Sequence, residues 1–373
     1  MNNKKNILFF IPSLSTGGAE RVLINLVQRL ACFSNLHIIV VTLFKDSGKL
    51  PDNVTYAYVF PKKFRGNVHL LKLLPASWLY RMFLGRYGKV DVAISYLQSP
   101  TMRIISGCPD KNTRLINWIH NEFHTDFNLV KLFRSHMEFE QLMMRYNKHV
   151  FVAQTAMDAF CKWCDYIPKE RMEVIYNVND YSQILTKSNE SIEEGLFDKD
   201  TFNIISCGRF TAQKAFDRLI DICYRLVKEG LNVHLYLLGK GELEGAYREQ
   251  IHRLGIEEKV TILGFQSNPF KYVKAADLFV CSSIHEGYST AVTESLVLGT
   301  PVVTTLCSGM VELLGAHNEY GIITENTIEA LFVAVRQIIL NKPMYAHYMS
   351  ATRAKKVELL NADNVTPVIN LFN

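Results

Sequence analysis

Ser283-Ile-His-Glu-Gly-Tyr-Ser-Thr-Ala-Val-Thr-Glu294-Ser-Leu-Val-Leu-Gly299-Thr-Pro301 is the stretch whose reading decides the fold. An apolar, β-prone run, Ala276-Asp-Leu-Phe-Val-Cys281, precedes it and Pro301-Val-Val-Thr-Thr305 follows, so the segment reads as strand, loop, short helix, strand. Gly299 and Pro301 stop the helix. At its start, near Thr290, free backbone N–H groups and the positive end of the helix dipole make a site for a phosphate or diphosphate. Gly287 lets the chain turn sharply just before it. Two carboxylates, Glu286 and Glu294, flank that N-terminus, and carboxylates accept hydrogen bonds well from paired hydroxyls: one suits a ribose, the other a sugar. The same residues also fit a solvated loop and a surface helix carrying two unrelated acids.

Working outward, 373 residues exceed the about 250–300 at which one hydrophobic core stops growing, so two domains are expected. The hydrophobic fraction, 48%, and the charged fraction, 21%, are those of a soluble globular protein and argue against disorder. The apolar runs Ile7–Leu14 and Ile38–Phe44 have strand length, far below the ~20 residues that span a bilayer. Met1-Asn-Asn-Lys-Lys-Asn-Ile-Leu-Phe-Phe leads into a Gly-Gly-Ala-Glu-Arg turn where a signal peptide would carry a cleavage site, so it reads as a first strand of a cytoplasmic protein. The eight cysteines are scattered, and Cys207, Cys223 and Cys281 sit inside apolar runs as buried thiols do. Cys161-Lys-Trp-Cys164 has redox or zinc spacing without a second pair nearby, so no metal is expected. Net charge is +5 and unevenly placed: Met1 to Asp180 holds 23 Lys and Arg against 14 Asp and Glu, the remainder 18 against 22.

The chain opens as strand (Asn6–Ile11), Gly-containing loop, helix (Ala19–Ala31) and strand (Leu36–Leu43), with Val22, Leu23, Leu26, Val27 and Leu30 forming the helix face that packs on a sheet. Gly17 and Gly18 at the helix start let backbone approach a ligand. Phe60 to Val90 carries Lys62, Lys63, Arg65, Lys72, Arg81, Arg86 and Lys89 with no acidic residue, interleaved with apolar groups such as Leu73, Trp78 and Met82. That pattern suits an anionic membrane surface or a lipid-diphosphate acceptor, and buried helices with solvated lysines would look similar. Nucleic acid is not expected, because the basic bias is modest and no recognition motif is present. Asp91-Val-Ala-Ile-Ser-Tyr and Arg114-Leu-Ile-Asn-Trp-Ile read as buried strands, and the second ends in His120, at the edge where α/β folds bind ligands. A structural histidine would read the same way. A helix is expected over Phe133–Tyr146.

Tyr181 to Thr201 is polar and reads as a domain linker; Asp198 and Asp200 within it read as solvated charges. A second α/β pattern then opens with Phe202-Asn-Ile-Ile-Ser-Cys207. Arg209 and Lys214 lie just past that strand, where a forked donor and a point charge beside a diphosphate would neutralise charge as it leaves. Val233–Gly239 and Val260–Gly264 are further strands ending in turns, and the tail from Ile328 is helical in pattern.

Glu286 and Glu294 in their Glu-Gly-aromatic context resemble the signature of retaining nucleotide-sugar glycosyltransferases of family 4. That family's pattern has Phe and Gly where this chain has Tyr288 and Ser289. Gly17-Gly18-Ala-Glu-Arg, His120-Asn121, Arg209 with Lys214, and Ser308-Gly-Met-Val-Glu312 resemble further motifs of the family in the same order, so the resemblance covers nearly the whole chain. It implies a GT-B fold: two Rossmann-like α/β domains facing an interdomain cleft, an acceptor-binding domain over 1–180, a linker over 181–201, a nucleotide-sugar domain over 202–350 and a tail over 351–373 able to cross back to the first domain. It implies that Gly17 and Gly18 lie near the diphosphate, that Arg209, Lys214 and the helix after Ser289 and Thr290 stabilise it, and that Glu294 grips the ribose and Glu286 the sugar. His120 would orient donor and acceptor, and Gly239, Gly241 and Phe265 would line the base pocket. No metal or other cofactor is implied. The expected activity is transfer of a sugar from a nucleotide-sugar, with UDP as carrier, to a saccharide acceptor carried on a lipid at the inner membrane face, in surface polysaccharide synthesis. A sugar-nucleotide-binding scaffold without turnover and a GT-B epimerase are the alternatives.

Overall fold

The computed structural model describes residues 4–15, 17–46, 48–63, 71–122 and 129–373. The chain divides into two compact units, Met1–Asn179 with Asp363–Asn373, and Asp180–Ala362. Each is built on a wholly parallel sheet.

In the first unit the strands are β1 (Lys5–Ile11), β2 (Leu36–Phe44), β3 (Thr55–Phe60), β4 (Val92–Ser95), β5 (Arg114–Ile119), β6 (Lys148–Phe151) and β7 (Met172–Val174). Their order is β3-β2-β1-β4-β5-β6-β7. Strands covered by helices on both faces must be apolar at nearly every position, and β1 is buried from Ile7 through Ile11. Helix Gly18–Leu30 returns the chain from β1 to β2 and buries Val22, Leu23, Leu26, Val27 and Leu30, the apolar period seen in the sequence. Residues 363–373 add to this unit: Val368, Leu371 and Phe372 are buried and Lys5 Nζ donates to the Phe372 carbonyl at 2.5 Å.

The second unit carries β8 (Phe202–Cys207), β9 (Val233–Leu238), β10 (Val260–Gly264), β11 (Leu278–Cys281), β12 (Val302–Thr305) and β13 (Ile322–Thr324), in the order β10-β9-β8-β11-β12-β13. Alternate residues of one strand enter opposite cores. Ile204, Leu235, Leu237, Leu278 and Val280 pack with the helix Phe216–Lys228, while Ile205, Tyr236, Leu238 and Phe279 pack with the helix Thr290–Leu298.

Three expectations change. Residues 181–201 are no free linker: Tyr181–Lys187 forms a helix with Ile184 buried against Thr290–Leu298, and the Tyr236 hydroxyl donates to the Leu196 carbonyl at 2.5 Å, so apolar contacts fix this polar stretch to the second unit. The helix expected over Phe133–Tyr146 is shorter, His136–Met143, because Ser135 caps it by accepting from Glu138 N. The tail divides: Lys342–Asn361 is one helix of the second unit and Thr366–Leu371 belongs to the first.

Candidate active site

In both sheets the strand order runs 3-2-1-4-5-6, which places a topological switch point between strands 1 and 4, where parallel α/β sheets open a crevice beyond their carboxyl ends. In the second unit the two strands are β8 and β11, and their following loops carry Arg209, Lys214, Glu286, Gly287, Tyr288 and Ser289.

Those loops are laced together. Ser282 Oγ donates to the Lys214 carbonyl (2.8 Å), Ile284 N to the Gln213 carbonyl (2.8 Å) and Gln213 Nε2 to the His285 carbonyl (2.8 Å). Lys214 Nζ then reaches the Glu286 carboxylate at 2.5 Å, and Ser283 Oγ donates to the same oxygen at 2.6 Å. Burial by itself would depress the Lys214 ammonium, but the facing carboxylate outweighs it and holds the pKa above its ordinary 10.5. Ala215, which precedes the helix Phe216–Lys228, has φ 48°, a left-handed conformation that costs a non-glycine residue about 1–3 kcal/mol and that the interlocked loops maintain.

Helix Thr290–Leu298 starts with Ser289 as its cap, the hydroxyl accepting from Val292 N. Val292 through Leu298 are buried, so the surface-helix alternative is excluded. Glu294 is held within this buried helix one turn from its N-terminus, and Glu286 is buried in the preceding loop. Gly309 has φ 78°, and a Cβ there would lie 2.6 Å from the Gly287 carbonyl, so the β12 loop closes directly on this turn.

Gly239 and Gly241 were expected at the base pocket. Their need for glycine has a packing cause: a Cβ on Gly239, at φ 143°, would meet the Gly208 carbonyl at 1.8 Å, and one on Gly241 the Phe210 carbonyl at 2.3 Å. Phe265 follows β10, is largely exposed, and holds Lys240 Nζ 4.9 Å from its ring centroid. Arg209 is exposed at the head of its loop. A cavity of about 400 Å³ lined by Ala215, Arg218, Leu243, Tyr247 and Ile284 lies beside these loops, yet no predicted site residue lines it.

One residue that sequence reading missed organises the loop from behind. Asn326, just past the short strand β13, donates to the Ile284 carbonyl (3.0 Å) and the Ser283 carbonyl (3.3 Å) and accepts from Arg218 Nη1 (2.6 Å). No sequence signal marked it, because three residues of edge strand carry no readable period.

In the first unit Gly17 caps and Gly18 opens the helix after β1, and His120 stands at the end of β5, two strands away. The His120 ring is buried against Tyr96, centroids 4.6 Å apart, and its Nε2 has no hydrogen-bond partner. Burial lowers its pKa from 6.5 to about 3, so the imidazole is neutral. Lys62 and Lys63 are exposed beyond β3, and Arg65 lies outside the described residues. Lys72 is half-buried and Arg81 exposed. Helix Ala76–Leu84 buries Ala76, Leu79, Tyr80 and Leu84 and turns Trp78 and Met82 outward, 60% and 57% exposed, with Leu73 before it 74% exposed.

Asp198 accepts from Thr201 Oγ1 and Asp200 N, which makes it a turn residue. Among the described residues no group of three or more His, Cys, Asp or Glu is placed to hold a metal, all eight cysteines are free, and no helix is long and apolar enough to cross a membrane.

Residues 187–355 match the model of the glycosyl transferases group 1 family, which spans nearly all of the second unit. Over 365 residues the chain is 28% identical to the N-acetylgalactosamine-N,N'-diacetylbacillosaminyl-diphospho-undecaprenol 4-alpha-N-acetylgalactosaminyltransferase of Campylobacter jejuni, covering 93% of this chain and 94% of that one. An uncharacterized glycosyltransferase of Methanocaldococcus jannaschii is 37% identical over 142 residues, 37% of this chain and 35% of its own length. Among solved structures, HepE of Anabaena in complex with UDP and glucose superposes with a TM-score of 0.75 at 20% identity, covering 97% of this chain and 96% of that one. The chain thus has the GT-B fold of its solved neighbours, and residues 187–355 of its second unit are similar to the glycosyl transferases group 1 family.

Proposed function

We propose that the chain is a retaining glycosyltransferase that moves a hexosyl or N-acetylhexosaminyl group from a UDP-sugar to a lipid-linked saccharide in surface polysaccharide or glycoconjugate synthesis. The observation that carries the donor half is the convergence at the second switch point. Lys214, Glu286, Glu294 and the N-terminus of the helix Thr290–Leu298 gather on loops held by direct hydrogen bonds. Lys214, Arg209 and the helix dipole supply positive charge where a diphosphate would depart, with no metal called for. Glu294 receives the ribose and Glu286 the transferred sugar, with Tyr288 next to it in the loop; in the first unit Gly17 and Gly18 let a ligand approach the backbone at their helix start. Gly239, Gly241 and Phe265 border the base, and His120 orients donor and acceptor.

Two observations support the acceptor half. The full-length Campylobacter relative is named for a diphospho-undecaprenol acceptor. The helix Ala76–Leu84 presents Trp78, Arg81 and Met82 together on its exposed face, next to a stretch without acidic residues, as docking on an anionic inner-membrane surface requires.

Thermal unfolding in the presence of UDP-, GDP- and ADP-sugars tests the donor half. A ligand that binds only the native state raises its stability by about 2.7 kcal/mol at one hundred times its Kd. UDP-sugars are expected to shift the transition by a few degrees, and Lys214→Ala and Glu294→Ala to abolish the shift; no shift with any nucleotide-sugar overturns the assignment, and conversion of the donor without an acceptor would instead indicate an epimerase. For the acceptor half, Trp78→Ala with Arg81→Glu is expected to weaken binding to phosphatidylglycerol-containing vesicles at least ~10-fold, since each basic group near an anionic surface contributes about 1 kcal/mol. Unchanged vesicle sedimentation would remove the membrane from the proposal.

A further inference from the structure

β4 and β5 are parallel neighbours in register from Val92 opposite Arg114 to Ser95 opposite Asn117. There β4 ends and the chain turns toward the helix Pro100–Ser106, while β5 continues through Ile119 to His120. The peptide groups of His120 and Asn121 therefore emerge past the end of their strand partner, and buried backbone N–H groups need a partner from elsewhere. Gln98 supplies it. Its Oε1 accepts from His120 N at 2.9 Å and from Asn121 N at 3.1 Å, and its Nε2 donates to the Asn121 carbonyl at 2.5 Å. A side-chain amide has the donor and acceptor of a peptide group, so Gln98 extends the ladder by one surrogate peptide at the first switch point. It is only 7% exposed, and a buried amide of this kind is retained where all its hydrogen bonds are made.

We propose that Gln98 is a positioning residue for His120: by clamping the peptide groups at the end of β5 it fixes where the imidazole sits. No hydrogen bond to the ring itself is found among the described residues, so the ring is placed by its own backbone and by the face of Tyr96. Glutamate at position 98 would keep the acceptor and lose the donor; asparagine would be one methylene short; methionine would fill the volume and make none of the three bonds. The inference rests on the reading of His120 as a group that meets donor and acceptor, but the clamp can be tested without any substrate.

The test is ring ¹⁵N NMR of His120 across pH in the full-length protein, the resonance assigned by its loss in His120→Gln. Tyr96 is the titratable group packed on the ring, and its pKa is itself raised by burial, while the nearest carboxylate in sequence is Glu122. The wild-type ring is expected to stay neutral to about pH 4, below its ordinary 6.5. In Gln98→Met the titration is expected to move up by at least ~1 unit as the freed loop admits water, since burial is what depresses it. Gln98→Asn, neutral and one methylene short of the same three bonds, carries the test should Gln98→Met not fold, and a smaller upward shift of the ring titration is expected in it. A lower Tm with an unchanged ring titration in either folded variant overturns the proposal and leaves Gln98 a purely structural residue.

A second arm follows UDP release from UDP-glucose and UDP-N-acetylglucosamine. Gln98→Met is expected to lower kcat roughly 10- to 100-fold with little change in KM, the cost of a misplaced group. Combined with His120→Ala it is expected to add no further loss. If the ring is freed while neither variant alters turnover, the clamp stands and the role given to His120 falls.

Discussion

Replacing Lys214 by methionine is expected to reduce turnover of the nucleotide-sugar by about 100- to 1,000-fold, the range found when one preorganised donor to a developing negative charge is removed. Methionine keeps most of the apolar stem and leaves the backbone carbonyl free to accept from Ser282, so the loop survives and only the ammonium is lost. What remains is Glu286, buried, with Ser283 Oγ as its hydrogen-bond donor. Stranding a buried carboxylate in this way is expected to cost stability as well, up to about 3 kcal/mol given that Lys214 is still partly exposed. The double variant Lys214→Met with Glu286→Gln is expected to recover much of the stability and none of the turnover. If it recovered activity, the charge at position 214 would be structural only. The pair also has a pH signature. Because the folded-state pKa of Lys214 is raised above 10.5, its stabilisation is fully present below that pH and is lost as pH rises through the raised value. An alkaline loss of stability in the wild type that is absent from Lys214→Met is the expected result, read by far-UV circular dichroism.

In the first unit the largest expected effect belongs to Arg103, which sequence reading passed over. It is 2% exposed and every arm of its guanidinium is used. Nη1 donates to the Leu71 carbonyl (2.7 Å), Nη2 to the Leu74 carbonyl (2.8 Å) and to Glu138 Oε1 (2.8 Å), and Nε to Glu138 Oε2 (3.0 Å). Burial pushes the Glu138 carboxyl up, but Arg103 and Arg134 outweigh it and hold the pKa below the usual range. Arg103→Ala would leave the Leu71 and Leu74 carbonyls without their donor and Glu138 with Arg134 alone to balance it, and breaking a buried pair from one side costs about 3–5 kcal/mol. Lysine is not expected to rescue it, because the site needs a planar fork. Removing both charges, Arg103→Leu with Glu138→Leu, is expected to be milder than either single change. All three tryptophans, Trp78, Trp118 and Trp163, lie in the first unit, so their fluorescence in urea follows that unit alone. Equal midpoints for Arg103→Ala and wild type would refute this account. Because Leu71 and Leu74 immediately precede the helix Ala76–Leu84, the same variant is expected to weaken vesicle binding.

The sequence alone determined a good deal about this protein. Continuous apolar runs announced the buried parallel strands β1, β2, β4, β5, β8, β9, β11 and β12, because a strand covered on both faces has no polar side to interrupt the run. The period of Val22 to Leu30 announced the helix that covers β1. Glu286, Ser289 and Glu294 were legible as one motif, and Lys214 separately as a basic group past a strand end, since each belongs to a strand end or a helix start that local chemistry marks.

Tertiary structure decided the rest. The edge strands β3 and β13 are short and half-exposed, and only their pairing to β2 and β12 makes them strands. The stretch 181–201 reads as a linker because it is polar, and it folds because Ile184, Leu196 and Phe197 find apolar surface on the second unit. Lys214 and Glu286 stand 72 positions apart, and nothing short of the β8–β11 pairing could have joined them. Gln98, Asn326 and Arg103 share that property. Each is an ordinary polar residue in the sequence, and each acquires its role from carbonyls or N–H groups on distant segments that local patterns do not encode, since hydrogen-bond partners are set by the sheet's register and not by spacing along the chain.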